Sequence, residues 1–379
     1  MIEIEILDII KNKIDNEISI SEEISVENGF DSLTLMEIIV EIEDKFDILL
    51  DDYILRINEA ENVENIISII KEVIENKSNK EIEIEDSIAK ESEKEYIYIN
   101  NMQKKYLKTN EIIDKNYIVK MNNGGISFNG ITSELYEYFD SVFYDIARIN
   151  NAIGEKYPIL LSSSTLHNTS FEKNHPNFSL YTEEGDVVLS PSACFHVYEK
   201  YSGKEIKDDF SVTFIQSVIR TESKTDGDEF GRLNDYHVRE VVFIGSENHV
   251  NESIDNMIEL TKEFIEKIGL VGSIESASDM FVTPIMQRYK MVQLHKKAKY
   301  EIRLNYAADK LLSVASFNRH GKAFTIPFNI KVSGVNNVVS GCVGYGIERW
   351  VLAFISQYGY DLINYPDCVK EFLKNKGFK

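Results

Sequence analysis

Arginine and glutamate alternate at the end of a β-branched run, a pattern that could bind a phosphorylated ligand. Arg220 and Glu222 follow SVTFIQSVI and are two residues apart, so a strand would place both side chains on one face. A guanidinium held on a rigid sheet can bind phosphate or carboxylate through two parallel hydrogen bonds. Taken alone, such a pair is more commonly a surface ion pair, so the pattern needs support from other residues.

A second candidate for phosphate binding lies near the end of the chain. Gly344-Tyr345-Gly346 follows a strand predicted over 335–342, which we expect to be broken at Gly341. We expect the two glycines to form a turn that lets a flat ligand approach the backbone closely. Arg349 lies in the first turn of a helix predicted over 347–358. A GxG before a helix is common by chance, so this signal is also weak alone.

A helix start in the first fifth of the chain offers a different phosphate site. Asp31 or Ser32 can accept hydrogen bonds from the first backbone N–H groups of a helix predicted over 33–46. Those N–H groups and the positive end of the helix dipole also favour a bound phosphate. A capped helix with no ligand is the alternative interpretation.

The elements that must position the arginines indicate an α+β domain with antiparallel strands. Ranges 211–220 and 233–244 are predicted strands joined by a polar loop, so they should form a hairpin. Tyr236, Val238 and Glu240 would share one face of the second strand. Range 126–150 predicts a strand followed by a long, aromatic-rich helix.

The first 80 residues differ from the rest of the chain in charge and in pattern. They hold 21 acidic and 7 basic side chains, whereas the remaining 299 residues hold 42 and 34. Apolar spacing predicts helices over 2–14, 33–46 and 63–74, which would form a small all-α bundle. We therefore predict an N-terminal domain over 1–76, a charged linker over 77–95 and a large domain over 96–379. An exposed helix is the alternative for 77–95.

Composition excludes several classes of protein. The net charge of -22 argues against a nucleic-acid or anionic membrane partner, because both need a basic surface. We find no apolar stretch long enough to span a bilayer and no basic leader at the N-terminus. Three cysteines are too few for a disulfide framework and predict a cytoplasmic protein.

The run GFDSLTLMEIIVEIEDKFDI over 29–48 resembles the acyl and peptidyl carrier proteins, whose hallmark is Asp-Ser-Leu before a helix. The resemblance covers residues 1 to about 76 and implies a four-helix-type fold. It implies that a phosphopantetheinyl transferase attaches 4'-phosphopantetheine to Ser32. It also implies an acidic face that partner enzymes recognise, formed by Glu37, Glu41, Glu43 and Asp44.

The large domain resembles the class II aminoacyl-tRNA synthetase core, with motif 2 at 220–240, motif 3 at 344–354 and motif 1 loosely in 131–152. It resembles more closely the amino acid:[carrier protein] ligases, relatives of atypical seryl-tRNA synthetases, over roughly 125–357. The matching stretches are LSPSACFHVYEKYSG, FIQSVIRTES, GRLNDYHVREVVFIG, ESASDMFV, KYEIRL, ASFNRHG and SGCVGYGIERW.

This resemblance implies a zinc site made by Cys194, Glu240 and Cys342, with an open fourth position for the substrate amine. Without it, two cysteines would be explained better as small buried apolar residues. Asp279 matches an acidic position in the family, which implies that it could pair with the substrate ammonium or hydrogen-bond the zinc-bound amine; a loop aspartate that caps a turn is the alternative.

The resemblance also assigns the ATP contacts. Arg220 would hold the substrate carboxylate and the α-phosphate, Arg349 the γ-phosphate, and Glu222 the adenine amino group. Glu301 and Glu348 could bind magnesium or belong to a surrounding polar network, and both roles stay open.

The implied reaction is ATP-dependent activation of a small amino acid, glycine or alanine, and its transfer to the phosphopantetheine thiol of a carrier. The carrier would be the domain in the same chain or that of the partner in a homodimer. Downstream acyl-transfer enzymes would take the product. A non-catalytic regulatory relative and a seryl-type tRNA synthetase are the alternatives.

Overall fold

The computed structural model describes most of the chain. The described ranges are 2–14, 60–84, 95–113, 116–122, 124–169, 171–175, 178–221, 231–277 and 298–378, with single positions between 19 and 57. The chain divides into two compact units, Met1–Glu93 and Lys94–Lys379. Each unit has a hydrophobic core of its own.

The N-terminal unit packs helices around a core rich in isoleucine. Helix α1 covers Ile2–Ile14 and helix α2 covers Val63–Ile84, and the described positions of the predicted helix 33–46 are also helical. Apolar spacing near 3.6 residues turns one side of each helix inward. The side chains buried there include Ile6, Ile10, Ile39, Ile42, Ile66 and Ile70. Leu33 and Met36 lie outside the described residues.

Helix α2 is longer than its apolar spacing predicts. The spacing ends at residue 74, whereas the helix runs to Ile84. Residues 77–84 of the predicted linker are therefore helical. Lysine and glutamate are good helix formers, so a segment rich in them can continue a helix without apolar periodicity. Residues 85–94 lie outside the described part of the chain.

The second unit combines many short strands with a few long helices. Its strands are β1 Tyr96–Asn100, β2 Ile118–Lys120, β3 Ile126–Phe128, β4 Ile153–Gly154, β5 Leu160–Ser162, β6 Leu180–Tyr181, β7 Val187–Leu189, β8 Glu205–Ile206, β9 Phe210–Ile219, β10 Asp235–Gly245, β11 Gly272–Ser276, β12 Lys299–Ala307, β13 Lys310–Gly321, β14 Lys331–Val332 and β15 Val339–Gly346. Its helices are α3 Thr109–Ile112, α4 Ile131–Ile149, α5 Ser163–Asn168, α6 Phe171–Asn174, α7 Phe195–Tyr201, α8 Glu247–Ile268, α9 Ile347–Tyr358 and α10 Asp367–Asn375. Among the described helices, none is long and apolar enough to cross a bilayer.

Eight of the described strands form one sheet in the order β1–β11–β12–β13–β15–β10–β9–β4. Neighbouring strands are antiparallel except β4, which runs parallel to β9. The predicted hairpin is confirmed as β9 and β10, with Glu240 opposite Phe214. The predicted α+β class with an antiparallel sheet is therefore confirmed. The hairpin loop over 222–230 lies outside the described residues.

Strand β10 separates two cores, because alternate side chains point to opposite faces of the sheet. Val241 and Phe243 pack with helices α4, α8 and α9, so we call this side the helix face. Tyr236 and Val238 belong to the other core, which also contains the two cysteines at 194 and 342. We call this second side the site face, and Glu240 points toward it.

The turn predicted at Gly344-Tyr345-Gly346 is wrong. These residues continue β15, and the strand is not broken at Gly341. The glycines allow close packing instead: a Cβ on Gly341 would lie 2.6 Å from Ile254 Cδ1, and one on Gly344 would lie 2.9 Å from Glu240 Oε2. Helix α9 begins directly after the strand, so its predicted position is confirmed.

Candidate metal centre and anion site

Two cysteines and a glutamate from distant parts of the sequence meet on the site face. Cys194 directly precedes α7, Glu240 lies in the middle of β10 and Cys342 lies on β15. Their liganding atoms all lie within 4.8 Å of one another. The three residues are 4%, 5% and 5% exposed. We call this group the Cys–Glu–Cys cluster.

The cluster is too buried to hold negative charge without compensation. Burial, followed by the Cys194 sulfur, raises the pKa of Glu240 well above its usual range. A hydrogen bond from Cys342 lowers the pKa of the Cys194 thiol, and the same bond together with burial raises the pKa of Cys342. Glu240 and Cys342 therefore keep their protons unless a cation replaces them. Two sulfurs and a carboxylate oxygen form a donor set that fits zinc.

Two arginines lie over one tyrosine on the site face. Arg220 directly follows β9; its backbone N–H donates to Asn234 O over 3.0 Å and its Nη2 donates to the Tyr236 hydroxyl over 2.6 Å. Arg349, in the first turn of α9, donates from Nε to Gly231 O over 3.0 Å. The two guanidinium carbons lie 5.7 and 5.1 Å from the centre of the Tyr236 ring. Two positive charges that lie against the same ring suit a polyanionic ligand.

The cluster and the arginines are neighbours on one surface. Tyr236 and Glu240 are four residues apart on β10, which is about 13 Å at roughly 3.3 Å per residue. Val238 lies between them and is paired with Gly346 on β15. The cluster and the two arginines therefore lie on the same face of the sheet, roughly that distance apart.

Three predicted site residues lie outside the described part of the chain. They are Ser32, Glu222 and Asp279. Their roles in phosphopantetheine attachment, adenine recognition and amine binding stay predictions.

Two protein-family models match the chain, one within each of its two compact units. The tRNA synthetase class II core domain (G, H, P, S and T) matches residues 177–358, which hold the cluster and both arginines. The phosphopantetheine attachment site matches residues 5–70, which include Ser32. The chain carries a class II synthetase core and a phosphopantetheine attachment domain.

Two curated relatives of the synthetase core have different acceptors in their names. The Type-2 serine--tRNA ligase of Methanocaldococcus jannaschii is 30% identical over 194 residues, covering 49% of this chain and 37% of that protein. Amino acid--[acyl-carrier-protein] ligase 1 of Bradyrhizobium diazoefficiens is 26% identical over 191 residues, covering 50% of this chain and 58% of that protein. The chain therefore spans less than two thirds of the length of either relative.

Solved structures of seryl enzymes share the fold. The SerRS of M. kandleri, solved in complex with A. aeolicus tRNASec, has a TM-score of 0.64 at 17% identity and covers 86% of this chain and 70% of its own. The seryl-tRNA synthetase of Pyrococcus horikoshii, complexed with ATP, has a TM-score of 0.63 at 12% identity and covers 99% and 92%. At such identities the likeness shows the fold alone.

Two further acids of the synthetase core have partners within the protein. Glu301 lies 3.2 Å from Lys299 Nζ and 3.1 Å from Arg303 Nη2. Although burial opposes the shift, these two cations lower the pKa of Glu301. Glu348 lies 2.7 Å from His237 Nδ1 and also accepts the backbone N–H of His237 over 2.9 Å. Both acids therefore belong to polar networks within the protein, and magnesium binding by either residue stays a prediction.

The polar residues that surround the cysteine sulfurs were not identified from the sequence. Cys342 Sγ lies 3.6 Å from Asn318 Nδ2 and 3.5 Å from His320 Nε2, and Cys194 Sγ lies 3.5 Å from Ser192 Oγ. Period-two spacing in ASFNRHG already puts Asn318 and His320 on one face of a strand. It does not reveal which strand lies beside them, so their sulfur partner could not be inferred.

The acidic face predicted for the attachment domain has contacts within that domain. Glu41 Oε2 lies 3.0 Å from Lys13 Nζ. Glu43 Oε1 accepts the backbone N–H of Leu50 over 2.7 Å, so this carboxylate also supports a local backbone segment. The other two predicted positions, Glu37 and Asp44, lie outside the described residues.

Proposed function

We propose that the protein activates a small amino acid with ATP and attaches it as a thioester to a carrier domain. The observation that carries the proposal is the buried Cys–Glu–Cys cluster on the same sheet face as Arg220 and Arg349. The attachment domain in the same chain supports a carrier as acceptor. The similarity to the carrier-protein ligase of B. diazoefficiens supports the same acceptor.

Cys194, Glu240 and Cys342 would hold a zinc ion. Three protein ligands leave a fourth coordination position, which is usual for functional rather than structural zinc sites. When bound, zinc would accept the neutral α-amino group and so orient the amino acid. Asp279 would pair with the substrate ammonium or hydrogen-bond the amine.

The activation step needs no protein nucleophile, because the substrate carboxylate attacks the α-phosphorus of Mg-ATP and pyrophosphate leaves. Arg220 would hold the carboxylate and the α-phosphate together, and Arg349 would hold the γ-phosphate. Both arginines would offset the charge that develops on the phosphate oxygens. Glu222 would accept a hydrogen bond from the adenine amino group.

The transfer step forms a carbon–sulfur bond and breaks the bond between the carbonyl carbon and AMP. The thiol belongs to the phosphopantetheine that a phosphopantetheinyl transferase would attach to Ser32. Its proton passes to solvent, and AMP leaves as the anion. Tethering carrier and ligase in one chain would raise the local carrier concentration towards about millimolar. Downstream acyl-transfer enzymes would consume the thioester.

We expect the active protein to be a homodimer. Strand β4 lies at one edge of the large sheet. Near it, Tyr144, Ile149 and Ile153 are 37%, 61% and 59% exposed. Exposed apolar side chains at a sheet edge are usually covered by a partner. A second copy fits, because class II cores resembling this one pair through their motif 1 helix, which we place in α4. Light scattering on the purified chain measures the state directly.

The first test is exchange of label between pyrophosphate and ATP across the twenty amino acids. We expect glycine or alanine to support exchange, with about one zinc per chain. Cys194→Ser should lose both zinc and exchange. Cys368→Ser is the matched control, because that half-buried cysteine contacts Tyr138 and not the cluster. Exchange that survives zinc removal would contradict the role of the cluster, and no exchange with any amino acid would contradict the proposal.

A mixing experiment tests the destination of the amino acid. An Arg349→Ala chain keeps Ser32 but should not activate, and a Ser32→Ala chain activates but has no attachment site. Labelled amino acid on the Arg349→Ala chain in the mixture would mean loading between chains. If the wild-type protein becomes labelled but the Arg349→Ala chain in the mixture does not, loading occurs within one chain. A phosphopantetheinylated wild type that acquires no thioester would exclude its own carrier domain as the acceptor.

A second candidate function, charging of tRNA, is favoured by the identity to the serine--tRNA ligase of M. jannaschii. Serine-dependent charging of tRNA at physiological salt would support it over the carrier. A non-catalytic regulatory role is a third candidate, which amino-acid-dependent exchange would exclude. The cytoplasmic location stays a prediction.

A further inference from the structure

His320 bridges a buried tyrosine and a sulfur of the Cys–Glu–Cys cluster. Its Nε2 lies 3.5 Å from Cys342 Sγ, and its Nδ1 lies 3.0 Å from the Tyr198 hydroxyl. Tyr198 is 0% exposed, and its hydroxyl also lies 3.2 Å from Ser340 Oγ. The imidazole is therefore held on one side by a rigid polar group and faces the sulfur on the other.

The bridge has one arrangement of protons that suits a metal-bound sulfur. Cysteine binds metal as a thiolate, which can accept a hydrogen bond but cannot donate one. The facing nitrogen, Nε2 of His320, must then carry the ring proton. In a neutral imidazole this leaves Nδ1 as the acceptor. Two hydroxyls can donate to Nδ1: that of Tyr198, which keeps its proton in a buried site and lies 3.0 Å away, and that of Ser340, which lies 3.5 Å away.

We propose that His320 is a positioning residue: it donates from Nε2–H to the Cys342 sulfur, fixes that side chain and stabilises the metal-loaded cluster. The inference rests on the zinc site of the proposed function. Two thiolates and a carboxylate bring three negative charges to one buried zinc ion, so donors to the sulfur offset the excess. Asn318 Nδ2, at 3.6 Å, is a weaker second donor to the same sulfur.

The described geometry keeps His320 beside the cluster rather than within it. Among the described residues, the potential metal-ligand atoms that lie within 4.8 Å of one another belong to Cys194, Glu240 and Cys342. The His320 ring also packs edge-on against Phe324, with ring centres 4.8 Å apart. His320 therefore acts through Cys342 and leaves the fourth metal position for the substrate.

Zinc affinity and the absorption spectrum of the cobalt-loaded full chain test the inference. His320→Gln keeps an amide N–H at a similar reach, whereas His320→Phe keeps a ring and loses the donor. We expect His320→Phe to lower zinc affinity about 10–100-fold, the usual effect of losing a hydrogen bond to a metal ligand. The thiolate-to-cobalt band should also move to lower energy. His320→Gln should stay within about threefold of wild type in affinity.

Arg319→Gln is the matched control, because the neighbouring side chain leaves the opposite side of β13 and contacts Asn251 and Asp255. It should change neither readout. Unchanged affinity and spectrum in His320→Phe would overturn the inference, with the zinc site intact in wild type. A wild type that binds no zinc would overturn the proposed zinc site instead.

Tyr198→Phe combined with Ser340→Ala decides the matter if His320→Phe does not fold. This double variant keeps every ring and removes both hydroxyls that can donate to Nδ1 and fix the His320 tautomer. We expect a cobalt band shifted in the same direction by a smaller amount. A band identical to wild type would overturn the inference.

Discussion

The two faces of strand β10 carry charge in different ways. On the helix face, Arg239 is 7% exposed and donates to both oxygens of Asp140 over 2.8 and 2.7 Å, and His237 lies against Glu348. On the site face, Glu240 is 5% exposed, and the influences on its pKa are burial and the two cysteine sulfurs. The helix face supplies opposite charges from within the chain, whereas the site face brings three acids together.

The charges on the helix face stabilise the fold, whereas those on the site face are suited to binding a ligand. Arg239 and Asp140 join β10 to α4, so their charges are matched once the chain folds. Charge on the Cys–Glu–Cys cluster would be matched only by a bound cation, and Gly344 leaves the space that the Glu240 carboxylate needs. A strand with period-two alternation can serve both purposes with adjacent residues.

The largest effect, on zinc content and on the exchange rate, should follow from replacing the one carboxylate of the Cys–Glu–Cys cluster. We expect Glu240→Gln to lose zinc and to lower amino-acid-dependent exchange by at least about 100-fold, beyond the loss for a residue that merely supports a ligand. The free energy of unfolding of the metal-free chain should stay the same or rise, because a buried acid becomes a neutral side chain of the same shape. Metal analysis, exchange rates and urea titration measure the three quantities.

Glu348→Gln is the control for that change on the opposite face. It alters an acid of similar burial that already has His237 as a partner, so zinc content should not change. Retention of stoichiometric zinc by Glu240→Gln would remove the distinction between the two faces.

The next largest effect, on the free energy of unfolding, should come from breaking the ion pair on the helix face. Arg239→Met leaves Asp140 partly buried without its cation, which should lower the free energy of unfolding by about 3–5 kcal/mol. Adding Asp140→Leu should recover most of that loss, since an apolar pair can replace a buried ion pair. Urea titration measures the stability, and zinc content should match wild type in both variants. Loss of zinc in the stable double variant would show that the faces are coupled.

The sequence predicted the strands and helices that local pattern governs. The β-branched runs at 211–220 and 233–244 became β9 and β10, and α9 lies over the predicted range 347–358. The prediction of a turn at Gly344-Tyr345-Gly346 was wrong, because glycine occurs both in turns and in strands that another group approaches closely. The contact responsible, with Glu240, comes from a segment about 100 residues earlier in the sequence.

The site was predictable in its residue types and less so in its surroundings. The resemblance to a family named Cys194 and Cys342, and the fold places them together. No spacing rule linked Tyr198, His320 and Cys342, because α7, β13 and β15 meet only through the sheet and its core. Such contacts depend on strand order, which a single sequence does not display.

The smallest effect should be a pH dependence on the helix face. The hydrogen bond to Glu348 raises the pKa of His237, although burial opposes it. A raised pKa in the folded state means that the stabilisation is complete below the ordinary histidine pKa of about 6.5 and is lost as pH rises through the folded value. Wild type should therefore exceed Glu348→Gln in free energy of unfolding by more at about pH 5.5 than at about pH 8.5. Because the His237 side chain is 45% exposed, we expect the change to stay under about 1 kcal/mol. A difference that does not vary with pH would mean that the pair acts as a neutral hydrogen bond, and that charge matching on this face rests on Arg239 and Asp140.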